Sequence, residues 1–264
     1  MPDHHLHIHS AGDPKNPPVV LLHGFLGTGA DWREVMDALS DRFYCLAPDL
    51  PGHGETVIDG PDTLYTANAT ARLLAGYING ERLQAPDLIG YSMGGRLALY
   101  LTINYPDYFR RMVLESGSPG LNDPAERAAR REQDLSLASR LESEHFEKFL
   151  EDWYNQPIFA SLHRYPDRLK ALIAHRLKQS PLKLAVSLRH FGTGAQEPLW
   201  NRLAKTPPTL LIVGEQDAKF RQIAGRMAPS MPDAVVAIVP DAGHNVHFEQ
   251  PERFTEAVRE FLRR

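Results

Sequence analysis

The pentapeptide Gly90-Tyr91-Ser92-Met93-Gly94 sets a serine between two glycines, with the apolar pair Leu88-Ile89 ahead of it and a helical pattern behind. On such a strand-to-helix turn, a strained backbone lifts the serine hydroxyl off the sheet edge. Glycines flank it because a Cβ there would strike neighbouring main chain. A serine hydroxyl is a weak nucleophile and a weak base until an imidazole takes its proton, and the imidazole needs a carboxylate to orient it. The chain offers twelve histidines. His244, in Asp241-Ala242-Gly243-His244, falls on the loop after the last strand pattern, where the carboxyl edge of a sheet would face Ser92; His247 reads as the flank of that loop. Asp217, in Gly214-Glu215-Gln216-Asp217, follows a strand pattern and precedes a helix. Asp241 is nearer to His244 in sequence, but a residue three away on one tight loop reaches back poorly to hold the ring. The expected triad is therefore Ser92, Asp217 and His244. His23-Gly24-Phe25 follows the first parallel strand, so the Phe25 and Met93 N–H groups are the expected oxyanion donors. His23 then braces its loop, and Asp49, in Asp49-Leu50-Pro51-Gly52-His53-Gly54, anchors another.

These residues need a scaffold that brings distant loops to one edge. Short aliphatic runs at 19–22, 43–47, 87–90 and 111–115 alternate with helical patterns at 31–40, about 64–78 and about 93–105. That alternation is the signature of a mostly parallel sheet covered by helices. From about 119 to 200 only helices are signalled. Asp123-Pro124-x-Glu126 is a capping box, Phe146, Phe149, Leu150 and Trp153 form one stripe, and Leu169, Leu172, Ile173 and Leu177 form another. Strands resume at 209–213 and 235–239, and a last helix turns Phe254, Ala257, Val258, Phe261 and Leu262 inward. The expectation is one α/β domain over 1–264 with a helical lid inserted at about 119–200.

Composition narrows the classes. At 264 residues with 23% charged residues and a net charge of −4, the chain lacks the basic stripe of a nucleic-acid binder. No apolar run is long enough for a membrane span, and the start has no secretory-signal pattern, so the expected location is the cytoplasm. The lone Cys45 sits in an apolar run and reads as a buried core thiol. In His4-His5-Leu6-His7-Ile8-His9 the alternation puts His5, His7 and His9 on one face, which reads as an edge strand with a solvated face; a metal site is the lesser alternative.

Taken together, Leu22-His23-Gly24-Phe25, Gly52-His53-Gly54, the serine turn, Gly214-x-x-Asp217 and Gly243-His244 resemble the α/β-hydrolase superfamily over nearly the whole chain. A narrower set resembles the 2-succinyl-6-hydroxy-2,4-cyclohexadiene-1-carboxylate (SHCHC) synthases of menaquinone and phylloquinone biosynthesis. It comprises Gly90-Tyr91-Ser92-x-Gly94-Gly95-Arg96, Pro119-Gly120-Leu121, Asp152-Trp153-Tyr154-x-Gln156-Pro157-x-Phe159, Gly214-Glu215-x-Asp217-x-Lys219-Phe220 and Ala242-Gly243-His244-Asn245-x-His247. The resemblance implies a lyase without metal or organic cofactor that eliminates pyruvate from a small tricarboxylate. Ser92, made basic by His244, would remove a ring proton, and the oxyanion hole would hold the enolate.

Three carboxylates call for arginines, whose planar fork binds a carboxylate in two parallel bonds. Arg96 lies one helical turn beyond Ser92. Arg176 falls in the stripe of Leu169, Leu172, Ile173 and Leu177, where an apolar residue belongs, so it is expected on the lid's inner side with a substrate carboxylate as partner. Arg130 enters by resemblance alone, since Glu126 and Asp134 can pair with it along the helix. Tyr91 and Trp153 are expected to pack the substrate ring, although Trp153 fits a core stripe equally well. Rival readings are a carboxylesterase or C–C bond hydrolase using the same triad, and a triad-retaining small-molecule receptor. Serine at the turn, in place of aspartate, speaks against haloalkane dehalogenases and epoxide hydrolases.

Overall fold

The structure, a computed structural model, describes residues 4–263. Seven strands form one sheet: β1 (Ile8–Ala11), β2 (Pro18–Leu22), β3 (Tyr44–Pro48), β4 (Asp87–Tyr91), β5 (Met112–Glu115), β6 (Thr209–Gly214) and β7 (Ala234–Val239). Their spatial order is β1-β3-β2-β4-β5-β6-β7, with β1 antiparallel at the edge and the other pairings parallel. The central strands are covered on both faces, which is why they read as unbroken apolar runs. Their period of two still sorts them. Val20, Leu22, Leu88, Leu114, Leu211 and Val213 feed one core, while Val19, Leu21, Ile89, Val113, Leu210 and Ile212 feed the other.

Helices α1 (Arg33–Leu39), α2 (Ala67–Gly80) and α3 (Met93–Asn104) belong to the first half of the sheet. Between β5 and β6 come α4 (Pro124–Ser143), α5 (Phe146–Tyr154), α6 (Pro166–Arg176) and α7 (Pro181–Phe191), and after β6 come α8 (Ala218–Met227), α9 (Val246–Glu249) and α10 (Pro251–Leu262). α2, α3 and α8 cover the first face with Leu74, Leu97 and Met227; α1 and α10 cover the second with Met36, Leu39, Phe254 and Val258. The inserted helices have a core of their own, built on Leu141, Phe149, Leu150, Phe159, Leu162 and Leu188, with Leu26 entering from the main body. No described helix is long and apolar enough to cross a membrane.

Two local expectations change. The edge strand begins later than the histidine alternation suggests: His5 makes an isolated bridge to Val57, the His7 N–H goes to Thr56 Oγ1, and the ladder runs only from Ile8. The His7 and His9 rings are also not on a freely solvated face. They turn toward buried Asp49, with His9 Nε2 3.3 Å from Asp49 Oδ1. Cys45 is a buried core thiol, pushed up to about 12 by burial.

Candidate active site

Ser92 stands between β4 and α3 with φ 50° and ψ −105°, a conformation L-residues rarely adopt. Its neighbours explain the two glycines. A Cβ on Gly90 would lie 2.5 Å from the Gly94 carbonyl oxygen, and one on Gly94 would lie 2.1 Å from that of Leu22. The Ser92 N–H donates to the Glu115 carbonyl at 2.9 Å, fastening the turn to the end of β5. β6 ends just before Asp217, which caps α8 by accepting from the Phe220 N–H at 3.1 Å. The loop after β7 carries His244. Its Nδ1–H donates to Asp217 Oδ2 at 2.7 Å, and its Nε2 is 3.2 Å from Ser92 Oγ, placed to accept that hydroxyl's proton. Asp217 and His244 are buried, so the pair is shielded from competing water.

Around the triad is a cavity of about 480 Å³, lined by Phe25, Ser92, Met93, Arg96, Arg130, Trp153 and His244 among others. Phe25 and Met93, the expected oxyanion donors, thus line the same cavity as Ser92. The loop bearing Phe25 is held by His23, whose Nδ1–H donates to the Gly24 carbonyl and whose Nε2 accepts from the Leu50 N–H. Burial keeps this imidazole below its ordinary pKa and so neutral. Asp49 anchors the next loop by accepting from the Gly29 and Glu55 N–H groups at 2.7 and 2.9 Å.

Arg96 is buried in the cavity wall, where it donates to the Phe191 carbonyl and to Gln196 Oε1 and lies over the Phe191 ring. It is in no ion pair among the described residues. Burial, and then the nearby Arg130 charge, push its guanidinium down to about 10, which leaves it charged at neutral pH. Arg130 reaches the same cavity but is paired with Asp134 at 2.8 Å, one helical turn away. Trp153 lines the cavity and also packs on Phe25 and Phe149.

Two expected positions are corrected. Arg176 is on the inner side of the inserted helices, but its partner is Asp31. Its guanidinium forks onto both carboxylate oxygens at 2.8 and 2.6 Å, with Tyr154 Oη accepting a third bond at 3.3 Å. Burial alone would raise the Asp31 pKa, but the Arg176 charge more than offsets it and holds the carboxyl below its usual range. Arg176 thus clasps α6 to the main body and does not line the cavity. Tyr91 is also absent from the lining. As the last residue of β4 it points beneath the turn, its ring 5.5 Å from that of His244 and 5.0 Å from that of His247.

Other members of the site are given no role in the sequence reading. His247 is no mere flank: its Nδ1–H donates to buried Glu115 at 2.6 Å and its ring stacks on Trp32. Glu249 accepts from the Gly243 N–H at 3.0 Å and from Ser161 Oγ at 3.0 Å, setting the His244 loop against the inserted helices. Lys219 and Arg226 on α8, seven residues apart and so on one face, complete the cavity mouth; neither is in an ion pair among the described residues.

The α/β-hydrolase family model matches residues 19–257. The chain is 35% identical to the SHCHC synthase of Klebsiella pneumoniae, over 95% of this chain and 96% of that one. It is 38% identical to a Bacillus subtilis protein that carries the same name provisionally, over 95% and 92% of the two chains. The solved structure of MenH from S. aureus superposes with a TM-score of 0.92 at 34% identity, covering 98% of each chain. A serine turn, a serine–histidine–aspartate chain of contacts and likeness along the whole chain lead to one statement: the chain belongs to the α/β-hydrolase family and, within it, to the 2-succinyl-6-hydroxy-2,4-cyclohexadiene-1-carboxylate synthases.

Proposed function

We propose that this protein is a carbon–oxygen lyase of the menaquinone or phylloquinone pathway. It converts 2-succinyl-5-enolpyruvyl-6-hydroxy-3-cyclohexene-1-carboxylate into SHCHC and pyruvate. The observation that carries the reading is a buried arginine, Arg96, facing the triad's own cavity with no carboxylate partner among the described residues. A buried cation is stabilised by a partner, and a polyanionic substrate supplies one. Arg130 adds a second positive group, partly neutralised by Asp134.

In this mechanism His244 Nε2 accepts the Ser92 proton as Ser92 Oγ removes the ring proton conjugated to the succinyl ketone. The electron pair passes to the ketone oxygen, giving an enolate held by the Phe25 and Met93 N–H groups. The enolate then collapses: the ring carbon–oxygen bond to the enolpyruvyl group breaks, and enolpyruvate leaves to tautomerise to pyruvate. The proton on His244 returns through Ser92 to a departing oxygen or to water. Asp217 orients the imidazole throughout and stabilises its charged form. Trp153 offers an apolar wall to the ring. Base and oxyanion stabiliser both come from the chain, so the reading requires no metal or organic cofactor, and it places the enzyme in the cytoplasm.

The test is pyruvate release from the enolpyruvyl substrate, run beside p-nitrophenyl acetate hydrolysis. Pyruvate release should be the faster by orders of magnitude. Ester turnover of equal or greater rate with no pyruvate would replace this reading with a carboxylesterase.

A further inference from the structure

Ser116, the first residue after β5, has φ 46°, in the left-handed region that favours glycine. It is 1% exposed, and its Oγ has no hydrogen-bond partner among the described residues. Each feature is destabilising, and a glycine would remove both: a left-handed serine carries backbone strain, and a buried hydroxyl left unpaired forfeits its hydration. The other buried side-chain polar atoms without partners, on His4, Thr28, Trp32, Thr70 and Asn245, lie outside the cavity lining; Ser116 is in it.

Its position is defined from two sides. The Ser92 N–H bonds to the carbonyl of the preceding residue, Glu115, so Ser116 sits beside the reacting serine. β2 and β5 flank β4 on opposite sides, which puts Ser116 across Ser92 from the Phe25 loop and outside the oxyanion hole. Two residues on, the Ser118 carbonyl accepts from Gln196 Nε2, and Gln196 Oε1 accepts from Arg96. The segment is thereby tied to Arg96. We propose that Ser116 Oγ is a substrate-binding hydroxyl, donating to the carboxylate that Arg96 holds. Its strain persists because the ligand supplies the missing partner. The inference rests on the synthase reading only for the identity of that acid.

Ser116→Gly and Ser116→Ala separate the two features. Glycine removes both strain and hydroxyl; alanine removes the hydroxyl and keeps the strained φ. The Ser116→Gly protein should melt about 2–4 °C above wild type, after the extra chain entropy of glycine is allowed for. Its KM for the enolpyruvyl substrate should rise about tenfold, as for loss of one hydrogen bond to a charged group, with kcat changed far less. Ser116→Ala should show the same KM rise with a smaller gain in melting temperature, because it sheds the unpaired hydroxyl and keeps the strained φ. A residue with a purely structural role would give neither split. A Ser116→Gly protein that melts below wild type, or binds substrate within twofold of it, overturns the proposal. Wild type serves as the control on the reading itself. Should it release no pyruvate, quenching of Trp153 fluorescence by 2-succinylbenzoate, a stable keto-diacid, still decides the hydroxyl. Weaker quenching in Ser116→Gly supports the proposal even as the synthase reading falls, and equal quenching overturns it.

Discussion

Replacing Arg176 by methionine tests whether that residue is a clasp or a substrate ligand. Methionine keeps most of the side-chain volume and removes the charge, leaving the half-buried Asp31 carboxylate without its guanidinium partner. Breaking a buried, bidentate pair from one side costs about 3–5 kcal/mol, because the remaining charge stays desolvated. At about 2–4 °C per kcal/mol for a chain near this size, the melting temperature should fall by roughly 6–20 °C. Adding Asp31→Asn should recover more than half of the loss, since the orphaned charge goes with it. The same pair fixes a pH dependence. The folded-state pKa of Asp31 lies below its unfolded value, so the clasp contributes fully above the unfolded pKa and is lost as pH falls through the folded one. Melting curves across pH 5–8 should therefore show no change in the gap between wild type and Arg176→Met, with the gap closing only in stronger acid. Circular dichroism melts and pyruvate-release kinetics on the same preparations decide the matter. A melting temperature within 2 °C of wild type together with a KM raised more than tenfold would refute the clasp and return Arg176 to the substrate.

Ser92→Ala and His244→Ala should each lower kcat by orders of magnitude while substrate still binds, and the double variant should lose little more, as groups acting in one unit do; stopped-flow pyruvate detection measures it. Arg96→Met removes a carboxylate partner from a desolvated wall. kcat/KM for the enolpyruvyl substrate should fall by roughly 30- to 4,000-fold, the equivalent of about 2–5 kcal/mol. p-Nitrophenyl acetate, which has no carboxylate, should lose far less; parallel losses on both substrates would make Arg96 a structural residue. Dialysis against EDTA should leave the rate of pyruvate release unchanged, and a loss restored by zinc would redirect attention to His7, His9 and Asp49.

What could be read ahead of the structure divides along physical lines. The triad was legible because each member stands at a strand end with its own local signature, and a parallel sheet brings strand ends to one edge. The strands were legible because covered strands are continuous apolar runs. Arg176 shows where such reading stops: its helical phase correctly turned it inward, but phase says nothing of what lies opposite, and Asp31 comes from a short 3-10 helix 145 residues away. Tyr91 is expected against the substrate ring, yet it neighbours Ser92 on a turn whose adjacent residues point to different sides. Ser116 and Glu249 had no pattern to reveal them, and the motif that holds His247 does not say what its ring touches. A left-handed φ, a buried carboxylate between two loops and a ring under the site are products of tertiary packing.

The insertion of α4 to α7 between β5 and β6 also sets a schedule for synthesis. The ribosome delivers the serine turn with β4 and β5, then spends the whole helical excursion before β6 brings Asp217 and β7 leads to His244. During that interval Ser92 is an ordinary alcohol, chemically inert toward the cell's esters and enol ethers. Over the same interval β5 is the open border of the sheet, offering unpaired amides and the side chains of Val113 and Leu114 to any passing strand. Nascent chains should be most prone to aggregate, and most in need of chaperone cover, in the stretch of translation after β5 and before β6 docks. Pausing within the inserted helices would prolong that exposure without ever releasing a half-built catalyst.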